Sequence, residues 1–182
     1  MVKNHKNRIH LLLVDDHEVV RSGLRMLLEN QPDLEIIAEA STGRQAIQLA
    51  EQLTPDIILM DLTLPDISGI EATRELKKAG CPAKIIALTI HEDEQFFFQM
   101  LQAGASGYVP KRAAPEDLLN AIQMVQRGEV YIYPHLAKLL VDDYLNRAKE
   151  EPEKLKALQE LTIREQEILV AIVVAQHAPF CF

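Results

Sequence analysis

Leu11-Leu12-Leu13-Val14-Asp15-Asp16 decides how this chain is read: a short, unbroken apolar run that stops on two adjacent carboxylates. The run is far too short for a membrane span or a signal peptide, and it fits a strand buried on both faces of a parallel sheet. Working outward, the same rhythm gives candidate strands at Arg8–Val14, Leu34–Glu39, Asp56–Met60, Ala83–Leu88 and Ser106–Val109. Helical period fills the gaps. Val20, Gly23/Leu24 and Leu27/Leu28 form one core-facing stripe, and Ala46/Ile47, Ala50 and Leu53 form a second. The last helix opens after Ala114-Pro115, runs through Leu118, Ile122 and Val125, and closes at Gly128. Five strands alternating with five helices predict an α/β domain with a doubly wound, five-stranded parallel sheet, whose ligand crevice lies beyond the carboxyl ends of the strands.

The remaining composition agrees with a folded core and narrows the function. The chain has 182 residues, 48% hydrophobic and 25% charged, which excludes a disordered chain, a collagen-like repeat and a coiled-coil rod. Net charge is −8, and both parts of the chain, split at Gly128, are acidic, so the basic footprint of a dedicated nucleic-acid binder is missing. Cys81 and Cys181 are too few and too far apart for a disulfide framework or a zinc cluster, and the expectation is a soluble cytoplasmic protein with no membrane partner. Three segments follow: a domain over 1–128, a linker with one helix over 129–160 that includes the charge-dense stretch from Arg147 to Lys156, and a last piece over 161–182. In that last piece, Thr162 and Glu165 form a capping box for a helix through Ile168 and Leu169.

Asp15 and Asp16 follow the first apolar run and Asp61 follows the third, so all three sit at carboxyl ends. The first and third strands are neighbours at the topological switch point, which makes the three carboxylates converge. Convergent carboxylates repel, and a hard, oxygen-seeking divalent cation, Mg2+, relieves the repulsion while leaving coordination positions for a phosphoryl oxygen. A competing local role exists for one of them, since Asp16 is placed to cap the helix that starts near His17. Capping accounts for one aspartate, not three. Thr89 ends the fourth strand with a hydroxyl and Lys111 follows the fifth with an ammonium, and both suit a phosphoryl group.

The residues Val14-Asp15-Asp16-His17, Asp61 through Gly69, Ala87-Leu88-Thr89 and Gly107-Tyr108-Val109-Pro110-Lys111 resemble the receiver domains of two-component response regulators, over roughly residues 8–127. Gly128 through Pro134 and Leu161 through Leu169 resemble the linker and first output helix of the NarL/FixJ class, which ends in a LuxR-type helix-turn-helix. The resemblance implies a flavodoxin-like strand order, 2-1-3-4-5, with a C-terminal helical extension. It implies Asp61 as phosphoacceptor, Asp16 as a direct Mg2+ ligand with Asp15 assisting through water, and the Thr63 carbonyl as a further ligand. Thr89 becomes the switch hydroxyl, Lys111 a phosphoryl contact, and Tyr108 an aromatic whose rotamer follows Thr89. Such a protein is a phosphoacceptor with self-catalysed phosphotransfer and autodephosphorylation rather than an enzyme. Its partner is a sensor histidine kinase, it can dimerise on phosphorylation, and the full-length parent regulates transcription. Thr63 and His91, two positions beyond Asp61 and Thr89, are placed to tune the phosphoryl lifetime, with Ile90 restricting access.

One part departs from that class. After Leu169 the chain reads Val-Ala-Ile-Val-Val-Ala-Gln-His-Ala-Pro-Phe-Cys-Phe, without a recognition helix, which points to a truncated or frame-shifted product. No DNA-binding residues are assigned, and DNA is expected as a partner of the full-length parent only. Two other functions compete: a Mg2+-dependent aspartyl-phosphate phosphohydrolase and a phosphorylation-independent interaction module. The first wants an acid carboxylate two residues past the nucleophile, where this chain has Thr63, and the intact set Asp15, Asp16, Asp61, Thr89 and Lys111 argues against the second.

Overall fold

Alternation within each apolar run sorts its side chains to the two faces of a sheet, and the computed structural model, which describes residues 8–90, 94–134 and 136–141, shows that sorting in every strand but the second, where a register shift between Ile36 and Ala38 moves the later side chains to the other face. The strands are β1 (Ile9–Val14), β2 (Leu34–Ala40), β3 (Ile57–Asp61), β4 (Lys84–Thr89), β5 (Gly107–Pro110) and β6 (Tyr131–Ile132). The helices between them are α1 (Glu18–Leu28), α2 (Gly43–Leu53), α3 (Gly69–Lys78), α4 (Glu94–Gln102) and α5 (Pro115–Gln126). Every strand pairing is parallel, in the order β2-β1-β3-β4-β5-β6. Leu11 and Leu13 point with Ile57, Leu59, Ile86, Leu88 and Val109 into a core closed by α1 and α5, while Leu12 and Val14 point with Ile58, Met60, Ile85, Ala87 and Tyr108 toward α2, α3 and α4.

The doubly wound order 2-1-3-4-5 is present, with one correction: the sheet has six strands, not five. Tyr131 and Ile132, read as linker, pair with Gly107 and Tyr108 at the β5 edge. The chain then turns back, and Leu136 and Leu140 are buried in the same cluster as Phe97 and Met100 of α4. The end of α5 is as the sequence predicts. Gly128 takes a positive φ of 88°, its N–H donates to Val125 O, and the Glu129 N–H donates to Met124 O, the paired bonds of a Schellman cap.

Register places the functional end. Leu13 and Val14 pair with Leu59 and Met60, so Asp15 comes out of the sheet beside Asp61. Asp61 pairs with Leu88 and Thr89 with Pro110, which sets Thr89 and Lys111 at the same level. The return into α3 is tight: a Cβ on Gly69 would lie 1.9 Å from the Asp61 carbonyl oxygen, so no larger residue fits there without moving the strand end. No helix among the described residues is long and apolar enough to cross a membrane.

Candidate functional site

Strand ends that are buried on both faces deliver their next side chains into a crevice, and here those side chains are acidic. Ligand atoms of Asp15, Asp16, His17 and Asp61 all lie within 4.8 Å of one another. The Asp15 and Asp61 side chains are 1% and 3% exposed, whereas Asp16 is 34% exposed at the rim. Lys111 bridges the two buried carboxylates, with Nζ at 2.5 Å from Asp15 Oδ2 and 2.8 Å from Asp61 Oδ2. Its backbone N–H donates to Thr89 O at 2.6 Å, tying the end of β5 to the end of β4.

Each carboxylate is held differently. Asp15 Oδ1 accepts from the His17 N–H at 2.9 Å, the Asp15 N–H donates to Ala40 O at 3.1 Å, and its carbonyl accepts from Arg21 Nη1 at 2.6 Å. Asp61 Oδ1 accepts from the Thr63 N–H at 3.3 Å. Asp16 does not cap α1: the N-cap is His17, which makes no side-chain cap bond, and it is Asp15 that turns back onto the His17 N–H. Asp16 instead faces His17 Nδ1 at 2.7 Å.

Electrostatics follow from this packing. Burial pushes the Asp61 carboxyl above the usual carboxylate range; the Asp15 charge adds to the rise, and the Lys111 and Thr63 hydrogen bonds oppose it. Burial pulls the Lys111 ammonium down, but its bonds to Asp15 and Asp61 outweigh burial and hold it above the usual lysine value, so it stays charged. Three carboxylates against one ammonium leave the cluster with excess negative charge. Asp15 Oδ2 and Asp61 Oδ2 are buried and, apart from Lys111, have no hydrogen-bond partner among the described residues. Hard oxygen donors, excess negative charge and two such oxygens fit a small divalent cation.

Thr89 and Tyr108 are both buried, and alternation from Ala87 puts Thr89 on the α4 side of the sheet, where Tyr108 also lies. Tyr108 is wholly enclosed, with its ring edge-on to Phe97 at 5.2 Å between centroids. Ile90 is exposed beside Thr89, and His91 lies outside the described residues. The structure adds residues the sequence did not single out. Phe97 needed the tertiary contact, and Asp66 acts 22 and 23 positions away, accepting from the Arg44 and Gly43 N–H groups at the start of α2. His17 stood in plain view after the aspartates, with no spacing signal to add it to the cluster.

Residues 11–123 match the model of the response regulator receiver domain. The chain belongs to that family. The chain is 35% identical over 176 residues to the transcriptional regulatory protein DegU of Brevibacillus brevis, spanning 91% of this chain and 75% of that protein. It is 40% identical over 164 residues to the transcriptional regulatory protein LiaR of Bacillus subtilis, spanning 90% of this chain and 76% of that protein. A crystal structure of a two-component response regulator of the LuxR family from Aurantimonas sp. SI85-9A1 superposes with a TM-score of 0.69 at 40% identity, covering 72% of this chain and 94% of that one. The receiver is thus of the NarL/FixJ type found in transcription-regulating two-component proteins, and the phosphohydrolase and phosphorylation-independent readings gain nothing from these likenesses.

Proposed function

We propose that Asp61 accepts a phosphoryl group from the phosphohistidine of a sensor histidine kinase, making this receiver a phosphorylation-dependent switch. The observation that carries the reading is the buried Asp61 carboxylate, bridged through Lys111 to Asp15 at the open ends of β3, β5 and β1. An Asp61 oxygen forms the new O–P bond as the donor's N–P bond breaks, and the imidazole leaves with the electron pair. Such a loose transfer needs positioning and charge neutralisation more than covalent assistance. Lys111, fixed at both carboxylates, brings one positive charge to the incoming phosphoryl oxygens.

Asp15, Asp16 and Asp61, with the Thr63 carbonyl, are the residues that would hold Mg2+, which when bound supplies further neutralisation of the phosphoryl charge. The Thr89 hydroxyl donates to a phosphoryl oxygen, and Tyr108, on the same face of the sheet, repacks against Phe97 as Thr89 moves. The acyl phosphate is a mixed anhydride that water cleaves, so the switch resets itself without a catalytic cycle. We assign 1–128 to the receiver, 129–160 to a linker whose first residues are sewn onto the sheet as β6, and 161–182 to the first helix of a LuxR-type output module. Phosphorylation-driven dimerisation and a cytoplasmic location go with this reading.

Intact mass after incubation with Mg2+ and a small-molecule phosphodonor tests it. One phosphoryl increment on the wild type, absent without Mg2+ and absent in Asp61→Asn, is the expected result; an undiminished increment on Asp61→Asn moves the acceptor elsewhere.

A further inference from the structure

Residue 15 is gripped from both sides of its backbone, and one of the grips is a charged side chain from outside the acid cluster. Arg21, one turn into α1, sends Nη1 to the Asp15 carbonyl at 2.6 Å and Nε to Glu39 Oε2 at 3.3 Å. Glu39 precedes Ala40, whose carbonyl takes the Asp15 N–H, so Arg21 closes a loop that joins the β1–α1 turn to the end of β2. Arg21 and Glu39 are only 17% and 20% exposed, so this pair is shielded from the solvent competition that weakens surface pairs. Arg25 pairs with the same Glu39 carboxylate but has no bond to Asp15 among the described residues.

We propose that Arg21 is a positioning residue which, by clamping the β1–α1 turn to the end of β2, holds Asp15 and Asp16 at the spacing from Asp61 that Mg2+ binding requires. The inference rests on the acid cluster being the Mg2+ site proposed above. Two like-charged side chains on a short turn, facing a third across the crevice, push that turn outward. A planar guanidinium fork bonded to a backbone carbonyl and a carboxylate together resists that displacement better than a single-point contact does. Coulomb's law alone predicts the opposite consequence: a guanidinium near the site repels a dication, so deleting the charge without a positional effect tightens Mg2+ binding. The sign of the change separates positioning from bare electrostatics.

The experiment titrates the 182-residue chain with Mg2+ alone, and follows amide hydrogen exchange of the β1–α1 turn in metal-free protein. Arg21→Gln is expected to weaken Mg2+ about tenfold, at the low end of what loss of a supporting partner costs a metal site, and to speed exchange at residues 15–17. Arg21→Lys restores part of the affinity, and Arg25→Gln, the charge-matched control, leaves it unchanged or tighter. Glu39→Gln, which removes the lateral anchor and keeps the guanidinium, weakens binding severalfold and serves if Arg21→Gln does not fold. Affinity in Arg21→Gln and Glu39→Gln equal to or above the wild type overturns the clamp. Asp16→Ala keeps the two readings apart. If it binds Mg2+ as the wild type does, the cluster is not the site and both readings fall; if it abolishes binding while Arg21→Gln does not weaken it, the clamp alone falls.

Discussion

At the ends of β1 and β3, position is set by register and charge: Asp15 and Asp61 emerge side by side because Val14 pairs with Met60, and Lys111 then locks the two carboxylates together. One strand over, between β4, β5 and α4, position is set by ring packing, with Tyr108 wholly buried edge-on to Phe97 and Phe97 tilted against Phe98 at 5.3 Å. The acid corner concentrates chemistry in groups that contribute little packing. The aromatic flank concentrates packing in groups that carry no charge. Chemistry and stability are therefore separable by mutation across a distance of one strand.

The largest expected effect is at the corner: Asp61→Asn abolishes phosphoryl uptake, read by intact mass, and leaves the far-ultraviolet spectrum and the cooperative unfolding transition in place. Phe97→Ala tests the other side. It is expected to cost about 3–5 kcal/mol of unfolding free energy in denaturant titration, the range for a large buried aromatic cut to alanine, while Mg2+-dependent phosphoryl uptake from a small donor stays within about twofold. A Phe97→Ala protein that is stable but inert would show that the flank shapes the corner. Asp16→Ala should lower Mg2+ affinity by at least about 100-fold, the upper end of what a supporting partner alone is worth, with little change in stability because its side chain sits at the rim.

The smallest effect lies outside both regions. The Asp66 carboxyl suffers a little from burial, but the Arg44, Ile67 and Gly43 N–H groups hold it at about 2. A depressed carboxylate contributes stability that is fully present above its ordinary value of 3.8 and fades as pH falls toward 2. Asp66→Asn should therefore cost about 1 kcal/mol near neutrality, the net worth of one hydrogen bond, and should flatten the acid limb of the stability profile between those pH values.

Much of the corner was legible in the chain because it is written locally: an apolar run with period-2 sorting followed by a carboxylate needs only the parallel-sheet topology to become a cluster. The same holds for Gly128, whose role is fixed by the helix it ends. Three features were not legible, for different physical reasons. β6 is two residues long, too short for any period, and exists only because β5 offers an open edge to Tyr131 and Ile132. Asp66 accepts from the first two N–H groups of a helix that begins 23 residues earlier and already has its own N-cap in Thr42, so nothing adjacent in sequence points to Asp66. The full enclosure of Tyr108 was hidden because nothing near it in sequence announces Phe97, 11 positions back, as a ring it packs against.

That short sixth strand also ties the outgoing backbone directly to β5. Tyr133 donates its N–H to the Tyr108 carbonyl at 3.2 Å, and Ile132 stands in register with Tyr108. Neighbouring strands are about 4.8 Å apart, so two strand spacings, about 10 Å or one helix diameter, separate the strand that carries Thr89 from the segment by which the chain leaves the sheet. No helix intervenes along that path. The outgoing backbone is joined to β5 through main-chain hydrogen bonds, which are indifferent to side-chain identity, so the segment Tyr131–Tyr133 can change in sequence without losing that link.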